Sequence, residues 1–402
     1  MQKNKSILSW LVISICFLIF ISSVVFFVQN KDNETTENLN VTLTDVGFDT
    51  PITLNCSCSQ TDFAKYTKIV RKTFKENNKR FDQYHAYKNM NNLYTLNHEA
   101  YDHPIQMDAT FIDCLKLAMQ MQSENSQFDI SQGALLNLWH DARENTQVPP
   151  SDDKIQEALK HIDLDNIQIS GNEVSYLDPE LSIDLGAIAK GYTAQIAKEK
   201  LNKAGLTNGY INAGGNVVLL GEKEDGSNWK IGIQSPDSSD ALVQYSTKKA
   251  TCLVTSGDYQ RYFTYKNKKY SHIIDPQTGY PANYVRSVTV ITKDSGKADA
   301  LSTTLFCMSV EDGKKYLSTL DYDVQAIWIV DKDTDIKSDL ETKDYKIITT
   351  DKIKRVTLIN KSYSIFNFRC SNNFIIFRFK IGFNICILIY DPYRLYIIIK
   401  GG

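Results

Sequence analysis

Ser271-His272-Ile273-Ile274-Asp275-Pro276-Gln277-Thr278-Gly279-Tyr280-Pro281 changes character over a short distance. Two polar residues lead into two β-branched apolar ones, and Asp-Pro, Thr-Gly and Tyr-Pro follow, which predicts a strand ending in a tightly specified turn. A histidine therefore stands where the strand begins and a carboxylate where it ends. Downstream, Asp299-Ala300-Leu301-Ser302-Thr303-Thr304 sets Asp299 and Thr303 four residues apart. On a helix they share one face, one turn apart, within reach of a single hard cation. Read alone, an Asp-Pro turn or the start of a helix is more often structural than chemical, so other segments must add weight.

Ser182-Ile183-Asp184-Leu185-Gly186-Ala187-Ile188-Ala189-Lys190-Gly191-Tyr192 predicts a short apolar strand that ends at Asp184 and turns at Gly186 into a helix reaching about Ala204. A helix N-terminus offers free N–H groups to an anion, and Gly186 permits close backbone approach. Lys190 lies one turn in, where its ammonium can meet phosphate; the structural alternative is Asp184 as a helix cap and Lys190 as a solvated lysine. Gly209-Tyr210-Ile211-Asn212-Ala213-Gly214-Gly215-Asn216-Val217 puts paired glycines at a strand's interior or bend, which marks a bulge or the close approach of another group. It lacks the Gly-x-Gly-x-x-Gly of a dinucleotide fold, so a Rossmann reading fails. Ser126 to Trp139 predicts a strand feeding a helix with Trp139 in the core. Thr255 to Phe263 predicts another strand, and Asp62 to Lys79 carries a helical pattern through Phe63, Tyr66, Ile69, Val70 and Phe74.

Taken together, in this order along residues 48 to 330, these segments resemble the ApbE family of FAD:protein FMN transferases. The resemblance implies an α+β fold, a mixed α/β catalytic domain with its site in a cleft between sheet and helices. It implies that Asp184 and Lys190 contact FAD and that Ala187 supplies a main-chain oxygen to Mg²⁺. Asp299 and Thr303 complete the metal set. Tyr87, in a segment where an acid and a tyrosine precede Leu-x-x-Leu-Asn, takes a flavin-binding position or serves as a packing residue. Gln127, Phe128, Asp129 and Ile274 are the remaining FAD-binding positions, with Gln127 standing where the family usually has Ala or Ser.

Chemistry follows from charge. Breaking the FAD pyrophosphate requires neutralising charge on the oxygens around phosphorus, a task for Mg²⁺ and Lys190. His272 is the candidate general base toward a Thr or Ser hydroxyl of an acceptor flavoprotein, Asp299 is catalytic through the metal, and AMP would leave. Water in place of the acceptor would make a Mg²⁺-dependent FAD pyrophosphatase, and a surface flavin-binding module without transfer is the reading from a different class.

The chain has 402 residues and a formal charge of −2, which gives no basic field for nucleic acid. Lys3 and Lys5 precede an uncharged run from Ile7 to Val28, and Lys31, Asp32, Glu34 and Glu37 follow it. The run is long enough to span a bilayer, and the flanking charges put the N-terminus in the cytoplasm and the remainder outside. No small-x-small site closes the run, so residues 1–28 are expected to be an uncleaved cell-membrane anchor; lipidation at Cys16 is the lesser alternative, because Ile15 precedes it. Residues 29–44 read as a polar linker and 45–350 as the catalytic domain. Residues 351–402 read as an Ile- and aromatic-rich extension without catalytic groups. The eight cysteines are scattered, with only Cys56 and Cys58 close, and predict neither a disulfide framework nor a zinc site.

Overall fold

The computed structural model of the chain describes residue 22, residues 35–350, 353 and 356–359, and the backbone of four strands between 366 and 400. Among the described residues no helix is long and apolar enough to cross a membrane. Apart from residue 22, the expected anchor and Cys16 lie outside the described residues. The five described cysteines are free thiols.

A nine-stranded antiparallel sheet forms the frame. Its strands are β1 (Glu37–Leu43), β2 (Ile52–Cys58), β3 (Tyr210–Ala213), β4 (Asn216–Leu219), β5 (Cys252–Gly257), β6 (Ser287–Thr292), β7 (Gln325–Asp331), β8 (Leu340–Glu341) and β9 (Tyr345–Thr349). The order across the sheet is β1-β2-β3-β4-β5-β6-β7-β9-β8. Every residue of β6 is buried, because both faces are covered. One face carries Val254, Val288, Val290 and Trp328 into the main helical core. The other carries Leu253, Ile291, Ile327 and Ile347 against Ile233 and Val243 of a three-stranded sheet. That smaller sheet comprises Trp229–Gln234, Ala241–Thr247 and Val356–Leu358. The mixed α/β architecture expected of the sequence is the one observed.

The helices are α1 (Gln60–Phe81), α2 (Leu93–Glu99), α3 (Ala109–Glu124), α4 (Gly133–Asp141), α5 (Asp152–Leu159), α6 (Ala189–Lys203), α7 (Ser295–Phe306) and α8 (Val310–Thr319). Helix α7 is buried on nearly all sides, with Ala298, Asp299, Ala300, Leu301 and Ser302 each hidden from solvent. Its small residues let it lie between the sheet and α6. Gly191 sets the closeness of that contact, since a Cβ there would meet Ser295 O at 2.2 Å and Asp299 Cβ at 2.6 Å.

Four details correct or sharpen the reading of the chain. Glu37–Leu43, inside the expected linker, is an edge strand paired with β2, because Leu39, Val41 and Leu43 alternate toward the core beneath polar neighbours. The paired glycines lie at a bend rather than in a strand's interior, and the close approach expected of them is that of the Thr50 side chain to Gly214. Gly214 and Gly215 form the two-residue turn of the β3–β4 hairpin with φ of 58° and 98°, the positive pair that such a turn demands. The expected strand before Asp184 amounts to one parallel bridge between Ser182 and Gln132, and α6 begins at Ala189, three residues after Gly186. Val356–Leu358, past the expected domain end at 350, pairs with Val243–Tyr245. In the extension the backbone of 366–370, 374–381, 383–391 and 394–400 forms a four-stranded antiparallel meander.

Adding one methyl at Gly191 should force α6 and α7 apart. Gly191→Ala is expected to cost about 1–3 kcal/mol of unfolding free energy, read by denaturant titration. An unchanged midpoint would show that the two helices have slack.

Candidate active site

Helix α6 begins without a side-chain cap of its own: Ile188 occupies the cap position. The N–H of Gly191, in the first turn, instead donates to Asp299 Oδ2 of α7 at 2.7 Å. Asn216 Nδ2, at the end of the hairpin turn, donates to Asp299 Oδ1 at 3.0 Å, and Lys190 Nζ stands 3.6 Å from the same oxygen. Asp299 is 4 % exposed. One buried carboxylate therefore joins α6, α7 and the β3–β4 hairpin, and its negative charge is matched by the positive end of α6 and by a lysine. Thr303 is half-buried one turn further along α7, and Ala187 is half-buried just before α6. Among the described residues no three His, Cys, Asp or Glu groups cluster as metal ligands, so a cation here would draw on one carboxylate and neutral oxygens.

His272 follows directly on the hairpin strand Lys268–Ser271. Arg261 O accepts from His272 N at 3.1 Å and lies 3.2 Å from Nδ1. A carbonyl can only accept, so Nδ1 carries the proton and the lone pair sits on Nε2. Burial lowers the imidazole pKa to about 4, aided by the positive charges of Arg261, Arg143 and, more weakly, Lys190, against the backbone bond to Arg261. The ring is a neutral acceptor among cations.

Other expected site residues take varied places. Asp184 is half-buried, accepting from Gly186 N at 2.6 Å and Gln83 Nε2 at 2.6 Å. Burial nonetheless raises its pKa. Tyr87 gives its hydroxyl to Asp82 at 2.7 Å, and Lys79 lies over its ring. Burial and that bond raise the phenol to about 12. The ring of Phe128 is 2 % exposed and belongs to the main core, while Ile274, also 2 % exposed, packs with Leu135 and Trp139. Asp129 accepts from Ser131 N and Oγ, and burial raises its pKa. Gln127, with its amide nitrogen turned toward acceptors, donates to Asp275 Oδ1 and Cys307 O, both at 3.2 Å, and its oxygen accepts from Gln277 Nε2 at 3.3 Å. This glutamine staples the segment before α4 to the turn after His272. Asp275 holds that turn, accepting from Gln277 N at 2.9 Å.

Several residues not singled out in the sequence stand near Asp184 and His272. Tyr84, 49 % exposed, stacks on His140 with centroids 5.0 Å apart, and its hydroxyl accepts from Gln83 Nε2 at 3.2 Å. Arg143 donates to His140 Nδ1 at 3.1 Å and to Glu144 at 2.8 Å. Arg143 comes from the π-helical turn Ala142–Thr146, which widens the end of α4. No spacing rule marks Arg143 or Arg261 in advance. Tyr84 had a signal, since it stands two residues after the Asp82 that anchors its segment.

The ApbE family model matches residues 48–328. A FAD:protein FMN transferase of Vibrio cholerae is 33 % identical over 236 residues, 58 % of this chain and 71 % of that protein. One of Klebsiella pneumoniae is 36 % identical over 250 residues, 60 % of this chain and 75 % of that protein. Among solved structures, the flavin transferase ApbE from Vibrio cholerae aligns with a TM-score of 0.65 at 25 % identity, covering 78 % of this chain and 98 % of that one. The ApbE protein of Thermotoga maritima aligns with a TM-score of 0.65 at 28 % identity, covering 73 % and 94 %.

The depressed histidine has a consequence for stability. Between pH 6.5 and about 4 the unfolded chain binds the His272 proton and the folded chain does not, so this group lowers stability as the pH falls through that window. A ring-proton NMR titration without FAD should place the His272 midpoint near 4, and Arg261→Ala should move it upward. A midpoint at the ordinary histidine value would contradict the assigned environment.

Proposed function

This chain belongs to the ApbE family, and from that premise we propose that it is an FAD:protein FMN transferase that moves FMN from FAD onto a threonine or serine hydroxyl of an acceptor flavoprotein. The observation that carries the proposal is the neutral His272, its Nε2 open to accept a proton, set among Arg261, Arg143 and Lys190.

The residues act in concert. Arg143, Arg261 and Lys190 attract the FAD pyrophosphate, and its negative charge opposes the cations that hold the His272 pKa down. Substrate binding thus strengthens the base. His272 Nε2 takes the proton of the acceptor hydroxyl, whose oxygen bonds to the FMN phosphorus as the pyrophosphate bond breaks and AMP departs. The oxygens of Asp299, Thr303 and the Ala187 carbonyl are hard donors of the kind Mg²⁺ takes, and Asp299 retains acceptor capacity beyond its present partners. When bound there, Mg²⁺ supplies charge neutralisation at the phosphate oxygens. Lys190 pairs with Asp299 in the present arrangement and can turn to the phosphate from the same position.

The same proposal puts the catalytic domain outside the cytoplasm, held at the cell membrane through residues 7–28. Support comes from the lysines before that run and the acids after it. Exported or membrane electron-transfer flavoproteins are the acceptors that such an enzyme would meet.

The test mixes the purified chain with FAD, Mg²⁺ and an acceptor protein, and reads acceptor fluorescence on a denaturing gel beside AMP release. His272→Ala should slow labelling by about 10²–10⁴-fold while FAD binding persists. Labelling that survives Mg²⁺ removal would exclude the metal. Release of free FMN without a labelled acceptor would replace transferase by pyrophosphatase, and FAD binding without any product would leave a flavin-binding module.

A further inference from the structure

Helix α1 has two unlike faces. Tyr66, Val70, Thr73, Phe74, Asn77 and Phe81 are buried against the sheet and α6. Opposite them, Lys65, Lys68, Lys72, Lys75 and Lys79 recur at intervals of three and four, so they fall in one exposed stripe about 21 Å long. A helix needs no such stripe to be soluble in a chain whose net charge is −2. Beside it, Lys200 and Lys203 extend from the end of α6, both exposed. Between the helices lies a hollow of about 350 Å³ lined by Ile69, Lys72, Thr73, Glu76, Lys200 and Lys203. Lys200 Nζ reaches Thr73 Oγ1 at 3.3 Å, so an ammonium and a hydroxyl stand together in this hollow. Acidic groups only partly offset this face. Asp45 binds Lys75 at 2.8 Å, Glu76 lies 3.7 Å from Lys72, and Asp62 and Glu199 are the other carboxylates on the two helices.

The position of this face says what it meets. Gln60, the first residue of α1, donates to Glu37, the first residue of β1, at 3.3 Å. Eight residues lie between Val28, the last of the long apolar run, and Glu37, so β1 begins within about 30 Å of wherever that run ends, and α1 starts beside it. We propose that the lysine face of α1 and α6 rests on an anionic phospholipid bilayer, with a lipid phosphate seated in the hollow between Lys72, Lys200 and Lys203. Helix α1 then lies flat on the membrane, and Gln83 and Tyr84, two and three residues after its end, stay close to that surface. The proposal rests on the membrane-anchor reading of residues 7–28 given above and not on the flavin-transfer chemistry.

The full chain, reconstituted in bilayers of phosphatidylcholine with or without phosphatidylglycerol, is exposed to an amine-acylating reagent and mapped by mass spectrometry. Lys68, Lys72, Lys200 and Lys203 should react several-fold more slowly with phosphatidylglycerol present, and Lys315 of α8 should not change. Protection should vanish near 1 M salt, where the screening length is about 3 Å, and in the double variant Lys68→Glu, Lys72→Glu. That variant should still transfer FMN in detergent solution, so failure of docking and failure of transfer are read separately. Equal labelling in both bilayers, or a matching loss at Lys315, would overturn the proposal. Equal protection by dissolved inorganic phosphate alone would also overturn it, in favour of a free anion site.

Discussion

The carboxylate of Asp299 caps a helix to which it does not belong. Helix α6 starts on Ile188, which has no side-chain acceptor, and the Gly191 N–H would be left without a partner if α7 did not bring Asp299 to it. A buried carboxylate is costly unless donors surround it. Here the donors are a helix N-terminus, the Asn216 amide and the nearby Lys190 ammonium. The requirement runs both ways: the anion needs these elements, and their relative positions follow from it. Gly191 is the steric condition, because any larger residue would push Ser295 and Asp299 away. The Ala187-to-Lys190 turn is thereby held against a buried carboxylate.

Electrostatics then divides the cleft into two roles. Near Asp299, negative charge is already neutralised by protein donors. Around His272 the balance is reversed: burial, helped by Arg261, Arg143 and Lys190, keeps the ring uncharged. An unprotonated imidazole at neutral pH is ready to accept a proton, yet buried among cations it is a weak base. On the proposed reading, a pyrophosphate beside these cations would offset their effect, so the ring would become a stronger base with substrate in place.

Much of this was legible in the sequence where local rules act. The helical period of α1, the Asp-Pro-x-Thr-Gly turn after His272 and the Asp299–Thr303 pair were all readable, because each depends on residues close in the chain. Trp139 as a core residue was readable too; it is 2 % exposed and donates to Gly279 O at 2.8 Å. What stayed hidden depends on long-range packing. The Glu37–Leu43 strand alternates only weakly among asparagines and threonines, and its strand character comes from pairing with β2. Asp184 accepts from Gly186 nearby, but its other donor, Gln83, lies about a hundred residues upstream. Arg143 and Arg261 matter only because α4 and the hairpin converge on His272, which no pattern within either segment reveals. Phe128 reads as a candidate for contact with flavin, yet its ring fills the core.

The most direct test of the Asp299 arrangement is amide hydrogen exchange in the FAD-free, Mg²⁺-free protein, compared between wild type and Asp299→Asn. The account predicts faster exchange at Gly191 and across the Asn212–Asn216 hairpin, with α1 and β6 unaffected. Unchanged protection at Gly191 in the variant would show that α6 and the hairpin hold their places without the carboxylate, and would contradict the account.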